Sequence, residues 1–310
     1  MAILCMLFAG SFISLSNLFM RKSIDQGGTS RGFLVFQMGI AFVVSVLLNP
    51  VKTGLYAWNG SVLLLGALAG LVMAFMLICL GRSLEKGPAG LTFSILNGAT
   101  VIPAIVMALL FGVSYGFPYT AWHAVGSFVL LCGLFMAGRG MAGLRDQKGW
   151  ILFCAAMFSF HIFLLVLFQW RALLLRWPQP EEITSLFTIA EIQSQWFSPA
   201  MFLTAFCVQL IAFIRYENRK PSRSDASYGI LGGVMNGLCT YFMIWSTELA
   251  SPLEGAVIFP IFSVTTIALS NWWSQRLYQE KVNWMACQFC IAGLIVGTVD
   301  WGAVAAFIGW

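Results

Sequence analysis

Side chains able to bind a polar solute recur inside stretches that are otherwise apolar. Ser11, Asn17, Gln37, Ser94, Asn97 and Thr100 stand in the first half of the chain. Ser159, His161, Gln209, Asn236, Thr240, Tyr241, Ser263, Thr265 and Thr266 stand in the second. The amides of Gln37, Asn97, Gln209 and Asn236 donate and accept at once, which suits a zwitterionic or polar solute. His161 is one of 2 histidines and the one deep within an apolar run. An imidazole there could titrate near neutral pH and couple solute movement to protons. Hydrogen bonding between helices is the plain alternative for each residue taken singly. His123 stands beside Trp122 near the end of a run, an interfacial position.

Other chemistry finds little material. No apolar run bears the clustered His/Asp/Glu or Ser/His set that catalysis needs, so an enzyme is not expected. Glu248, Glu254, Glu280 and Asp300 fall at the ends of runs, where solvation is cheap. Cys287 and Cys290 form a CxxC, but within an apolar segment and without the further ligands a zinc site wants. All 8 cysteines fall inside apolar runs, which reads as packing rather than a disulfide framework. No GxxxxGK[ST] occurs, and no metal, cofactor or nucleic-acid partner is implied.

The elements that must position these residues are membrane spans. The chain has 310 residues, 59% hydrophobic and 9% charged, against roughly 25% charged in a soluble domain. No soluble fold hides that much apolar surface. With about 20 apolar residues per span, ten spans are expected: 2–20, 33–49, 61–80, 91–111, 121–138, 150–170, 199–214, 229–247, 253–273 and 284–303. The first reads as a retained span, since it lacks a basic n-region and a cleavage site. The expected location is the plasma (inner) membrane, multi-pass. Pro103 and Pro260 lie inside spans and can bend them, freeing backbone carbonyls.

Basic residues alternate between connecting loops. Of the 17 Lys and Arg, 14 fall in loops 1–2, 3–4, 5–6, 7–8 and 9–10, and 3 in the others. The positive-inside rule makes the first set cytoplasmic and puts both termini outside. The long connection 171–198 carries Ile183, Leu186, Phe187 and Ala190 at helical spacing. That pattern predicts a short amphipathic helix on the membrane surface.

The two halves, 1–148 and 149–310, repeat. Ile3, Leu4, Ser11 and Phe12 match Ile151, Leu152, Ser159 and Phe160. Gly66, Gly70, Phe75 and Met76 match Gly233, Gly237, Phe242 and Met243. Both glycine pairs are small-xxx-small patterns that let helices approach closely. Five spans per half is odd, so the copies would enter the membrane from opposite sides. The expected fold class is all-α integral membrane: ten transmembrane helices as two inverted five-helix repeats. Such repeats commonly hold a solute near the midplane between the halves.

The second half reads ELASPLEGAVIFPIFSVTT, then a turn ending in Gln279-Glu280-Lys281, then a span with Ala292-Gly293. On that pattern and its fainter copy in spans 3 and 4, the chain resembles the drug/metabolite transporter superfamily, in particular its ten-span EamA-type permeases. The resemblance covers most of the chain. It departs at Phe111–Thr120, where the turn glutamate is missing, and at Asn97, where the family often has proline. Family members usually keep both termini in the cytoplasm. Spans 1 and 6 hold no carboxylate, so proton antiport through a first-span glutamate, as in small multidrug-resistance relatives, is disfavoured.

The resemblance implies a secondary transporter of a small organic metabolite, amino-acid-like or a related polar solute, working by alternating access as a monomer in the lipid bilayer. The candidate central-cavity residues are Ser11, Asn17, Gln37, Ser94, Asn97, His161, Gln209, Asn236, Thr240, Tyr241 and Ser263. A non-transporting receptor or assembly protein, or an intramembrane enzyme, is the alternative.

Overall fold

The structure is a computed structural model that describes residues 1–112, 120–138, 146–176, 195–249, 252–279, 283–299 and 301–308. The described residues form helices and no strand. In order these are α1 (Ala2–Asp25), α2 (Ser30–Val46, extended by a π turn, Leu47–Val51), α3 (Gly60–Lys86), α4 (Ala89–Gly98), a 3₁₀ turn (Ala99–Val101), α5 (Ile102–Leu110), α6 (Ala121–Gly138), α7 (Gln147–Arg176), α8 (Phe197–Tyr216), α9 (Arg223–Leu249), α10 (Pro252–Tyr278), α11 (Trp284–Thr298) and α12 (Trp301–Ile308). Five of them, α1, α2 with its π turn, α3, α7 and α8, are long and apolar enough to cross a membrane. The chain is an all-helical, multi-pass membrane protein.

Local chemistry sets the ends. Thr29 accepts from the Gly32 amide at 3.1 Å and starts α2. Asn59 and Asn283 cap α3 and α11 in the same way. Ser222 and Asp225 form a reciprocal box at the start of α9: the Asp225 amide donates to Ser222 Oγ, and the Ser222 amide to Asp225 Oδ2. The expected interfacial helix within 171–198 falls mostly on 177–194, outside the described residues. Arg171–Arg176 continues α7 as helix. The turn holding Glu280 and Lys281 also lies outside the described residues.

Pro103 explains the break between α4 and α5. It has no amide to donate back to Ala99, and the Ile102 amide takes that carbonyl instead, one residue tighter.

Packing runs mostly between the first and second halves of the sequence. α1 lies against α9 and α10, α2 against α9 and α8, α3 against α8 and α7, α4 against α10, and α6 against α11. The largest apolar core joins α2, α3 and α8 through Phe33, Met38, Leu80 and Phe202. A smaller one joins α6, α10 and α11 through Leu130, Ile267, Cys287 and Cys290. Glycines let these helices touch. A methyl on Gly66 would meet the Phe197 carbonyl at 2.8 Å, and one on Gly233 the Gln37 carbonyl at 2.6 Å. Gly70 faces Met201 and Thr204, Gly237 faces Val44, and Gly126 faces Gly293 and Gly297.

Charged loops gather at one end. Arg31 pairs with Glu217 at 3.6 Å, and Arg219 pairs with Glu217 at 3.1 Å and with Asp225 at 2.9 Å. Ser30 donates to Glu85, Arg21 donates to the Leu84 carbonyl, and Lys86 pairs with Asp146. Asp225 is fully buried, with the Thr29 and Ser222 amides and Arg219 meeting its carboxylate.

Candidate functional site

A thread of polar side chains meets across elements around the broken helix α4–α5. The Leu96 and Asn97 carbonyls accept backbone amides at the end of α4, and each also meets a side-chain donor. His161 Nδ1, from α7, lies 2.6 Å from the Leu96 carbonyl, which assigns it the proton, since a carbonyl only accepts. Thr100 Oγ1 donates to the Asn97 carbonyl at 2.8 Å and lies 3.1 Å from Ser263 Oγ of α10. Asn97 Nδ2 donates to the Phe93 carbonyl at 2.8 Å. One turn earlier, Ser94 Oγ accepts from Asn271 Nδ2 of α10 at 3.1 Å. That amide also reaches the Ile267 carbonyl at 3.0 Å. Ser94, Asn97, Ser263 and Asn271 are all buried.

This thread continues toward α1. Ser14 Oγ lies 3.4 Å from Ser270 Oγ, and Thr266 reaches the Gly10 carbonyl at 3.4 Å. Between α1, α4 and α10 sits a cavity of about 10 Å³, lined by Ser14, Arg21, Phe93, Ser270, Trp273 and Ser274 among others. That is room for about one water.

The structure thus brings together Ser94, Asn97, His161 and Ser263 from the expected set. Asn17 is buried on α1, and its Nδ2 lacks a hydrogen-bond partner. Gln37 and Gln209 sit elsewhere, at helix seams. Gln37 Nε2 donates to Ser16 Oγ at 2.7 Å, which donates to the Gly232 carbonyl. Gln209 Nε2 donates to the Ala74 carbonyl at 2.9 Å. Both glutamines are buried, and each leaves its Oε1 without a partner.

Four further expected residues stand apart from the thread. Ser11 Oγ donates to the Leu7 carbonyl in its own helix, and Thr240 Oγ1 to the Asn236 carbonyl in its own. Asn236 is buried within α9. Tyr241 faces the end opposite the charged loops. There its ring lies 4.6 Å from Lys52 Nζ, which also donates to its hydroxyl and lies 5.8 Å from the Trp245 ring.

Sequence reasoning missed Ser14, Arg21, Ser270, Asn271 and Ser274. The expected span 253–273 put Asn271 at a span end. α10 instead continues to Tyr278, which puts Asn271 well inside the helix. The findable signal was spacing: 263, 267, 270, 271 and 274 share one helical face.

No protein-family model matches the chain, and no curated protein does. Among solved structures, 12 chains match. One crystal structure of a protein superposes with a TM-score of 0.61, over 96% of this chain and 99% of its own, at 14% identity. At that identity the likeness is one of fold alone.

Proposed function

We propose that the chain is a secondary transporter of the drug/metabolite type, moving a small polar organic solute by alternating access between two inverted five-helix repeats. One observation carries the reading. Treat α4–α5 and α11–α12 as single broken spans, and exchange α1 with α7, α2 with α8, α3 with α9, α4–α5 with α10, and α6 with α11. Neighbours then map onto neighbours: α1–α9 onto α7–α3, α2–α9 onto α8–α3, and α1–α10 onto α7–α4 and α7–α5. The α2–α8, α4–α10 and α6–α11 contacts map onto themselves. The glycine pairs that match in sequence also correspond: Gly66 and Gly70 rest on α8, and Gly233 and Gly237 on α2.

Two further features support it. The loops rich in Lys and Arg are tied together at one end, as alternating spans require. The polar thread lies on helices that face each other across the exchange, with Ser94, Asn97 and Thr100 on one side and Ser263 and Asn271 on the other. Buried hydroxyls and amides that bond one another can rebond to a solute when the halves part.

The test is binding, then flux. Purified protein in detergent is screened by thermal shift against amino acids, nucleosides, sugars and cofactors. A ligand at 100 times its Kd adds about 2.7 kcal/mol to the folded state. The expected hit raises Tm and loses that rise in Asn97→Ala and Ser263→Ala. Proteoliposomes then accumulate the same compound under counterflow. Absence of flux for every class in the panel, with folded protein in the vesicles, overturns transport.

A further inference from the structure

The α1 face toward α10 carries Ser14, Leu18 and Arg21, and these line the cavity of about 10 Å³. Across it stand Ser270, Trp273 and Ser274 of α10. The polar lining is rich in donors. Arg21 supplies a guanidinium. The Trp273 indole N–H is buried and has no hydrogen-bond partner. Asn17 lies on the same α1 face, three residues from Ser14 and four from Arg21. It is 4% exposed, and its Nδ2 likewise lacks a partner. Buried donors without acceptors are unfavourable, and neighbouring ones that accumulate call for an acceptor they can share.

Among the described residues, no Asp or Glu lines the cavity. Asp25 holds Arg21 from one turn further along α1, with Oδ1 3.3 Å from Nε and the side chain 36% exposed. An exposed i,i+4 pair of this kind is weak. The guanidinium itself is well fixed: Nη1 donates to the Leu84 carbonyl at 2.6 Å, and the group lies 5.4 Å from the centre of the Tyr278 ring. An arginine fork with five donors, one bonded to the Leu84 carbonyl and Nε buried without a hydrogen-bond partner, is suited to a planar oxyanion.

We propose that this cavity is the subsite for the carboxylate of the transported solute, with Arg21 as its ion-pair partner and Trp273 and Asn17 as neutral donors. The proposal rests on the transporter reading and deepens it by naming the solute as a carboxylate. Asp25 occupies Arg21 until the solute carboxylate replaces it. The Ser14–Ser270 contact beside the cavity is long, 3.4 Å, and parts readily as α1 and α10 separate.

The experiment uses the full chain in proteoliposomes, with two radiolabelled probes: a pool of L-amino acids, and a pool of uncharged nucleosides. Wild type is expected to accumulate the amino-acid pool. Arg21→Gln is expected to lose about tenfold or more of that uptake, the scale of one hydrogen bond to a charged group. Arg21→Lys retains part of it. Trp273→Phe keeps the ring packing, and a raised KM with kcat held marks the lost donor.

Asp25→Asn separates binding from folding. If Asp25 competes with the solute, this variant lowers KM. If the Arg21–Asp25 pair only braces the helix, it lowers Tm and leaves KM where it was, and the proposal fails. Amino-acid uptake undiminished in folded Arg21→Gln also overturns the subsite, as does uptake of nucleosides but not amino acids; both leave the transporter reading standing. Uptake of neither pool by folded wild type also overturns the subsite, and transport is then decided by flux of the sugars and cofactors.

Discussion

Two kinds of helix contact hold this molecule, and their chemistry differs. At the α3–α8 and α2–α9 seams, glycines bring backbones together: Gly66 against the Phe197 carbonyl, Gly233 against the Gln37 carbonyl. At the α4–α10 face, short polar side chains bridge the helices, Ser94 to Asn271 and Thr100 to Ser263. The tightest of these seam contacts fall on main-chain carbonyls, which cannot swing aside, so those helices move as units. The α4–α10 contacts are hydrogen bonds of 3.1 Å between groups that can accept other partners. Stiffness and exchangeability are thus assigned to different helix pairs.

The strongest way to break this comparison is to fill a seam. Gly70→Leu and Gly233→Leu each drive a side chain into backbone: the Met201 carbonyl for the first, the Gln37 carbonyl for the second. Over-packing a core costs about 1–3 kcal/mol, and more where the neighbour is main chain that cannot repack. The expected result is a steep fall in monodisperse protein on size exclusion and in Tm. Normal yield from both variants would mean the seams are looser than their geometry indicates.

A smaller effect on stability, with a larger one on flux, is expected at the polar face. Asn271→Ala removes the donor to Ser94 Oγ and to the Ile267 carbonyl, at about 1–3 kcal/mol for a buried group left unpaired. Uptake should fall further than this destabilisation explains, because the amide is exchanged with solute. Equal losses in Tm and uptake, matching a seam variant of the same stability, would erase the distinction.

Gln209→Leu sharpens the contrast from the other side. Its Nε2 bonds a helical carbonyl, Ala74, that belongs to a helix interior, and its Oε1 has no partner. An apolar side chain of similar size removes an orphaned acceptor, so the expected stability change is within about 1 kcal/mol. Uptake should stay near wild type. A tenfold loss of uptake in folded Gln209→Leu would move the solute path onto the α3–α8 seam.

The sequence made the membrane class and the all-helical architecture legible, because apolar runs and loop charges are strong, additive signals. The glycine seams were legible too, from the matched pairs at 66/70 and 233/237. Individual site residues were less so. Ser94, Asn97, His161 and Ser263, which the structure brings to the α4–α5 break, stood out in the sequence as polar groups in apolar runs. Tyr241 stood out for the same reason, yet it binds Lys52 at the end away from the charged loops. Depth along a helix depends on where the helix ends, and the expected end at 273 falls five residues short of Tyr278, where α10 ends. Arg21 looked like loop charge for a similar reason. α1 runs on to Asp25, and the Leu84 carbonyl from α3 holds the guanidinium against the helix bundle.

The smallest expected effect lies at the charged end, where Asp146 joins α3 to α7. Its carboxylate pairs with Lys86, and its Oδ1 accepts from the Gly149 amide at 3.0 Å, beginning α7. The hydrogen bond from Lys86 is the main cause that holds its pKa below the ordinary 3.8, helped by the Gly149 amide. A depressed carboxyl contributes stability above the ordinary value, and that contribution is lost as pH falls through the lowered one. Wild type should therefore melt slightly above Asp146→Asn at pH 7, and the gap should close below pH 3.8. High salt should narrow it as well, since the pair is exposed. A gap that persists in acid would mean that Asp146 acts by shape alone, as a helix cap whose charge is immaterial. The ties between charged loops would then be contacts of geometry, no different in kind from the glycine seams.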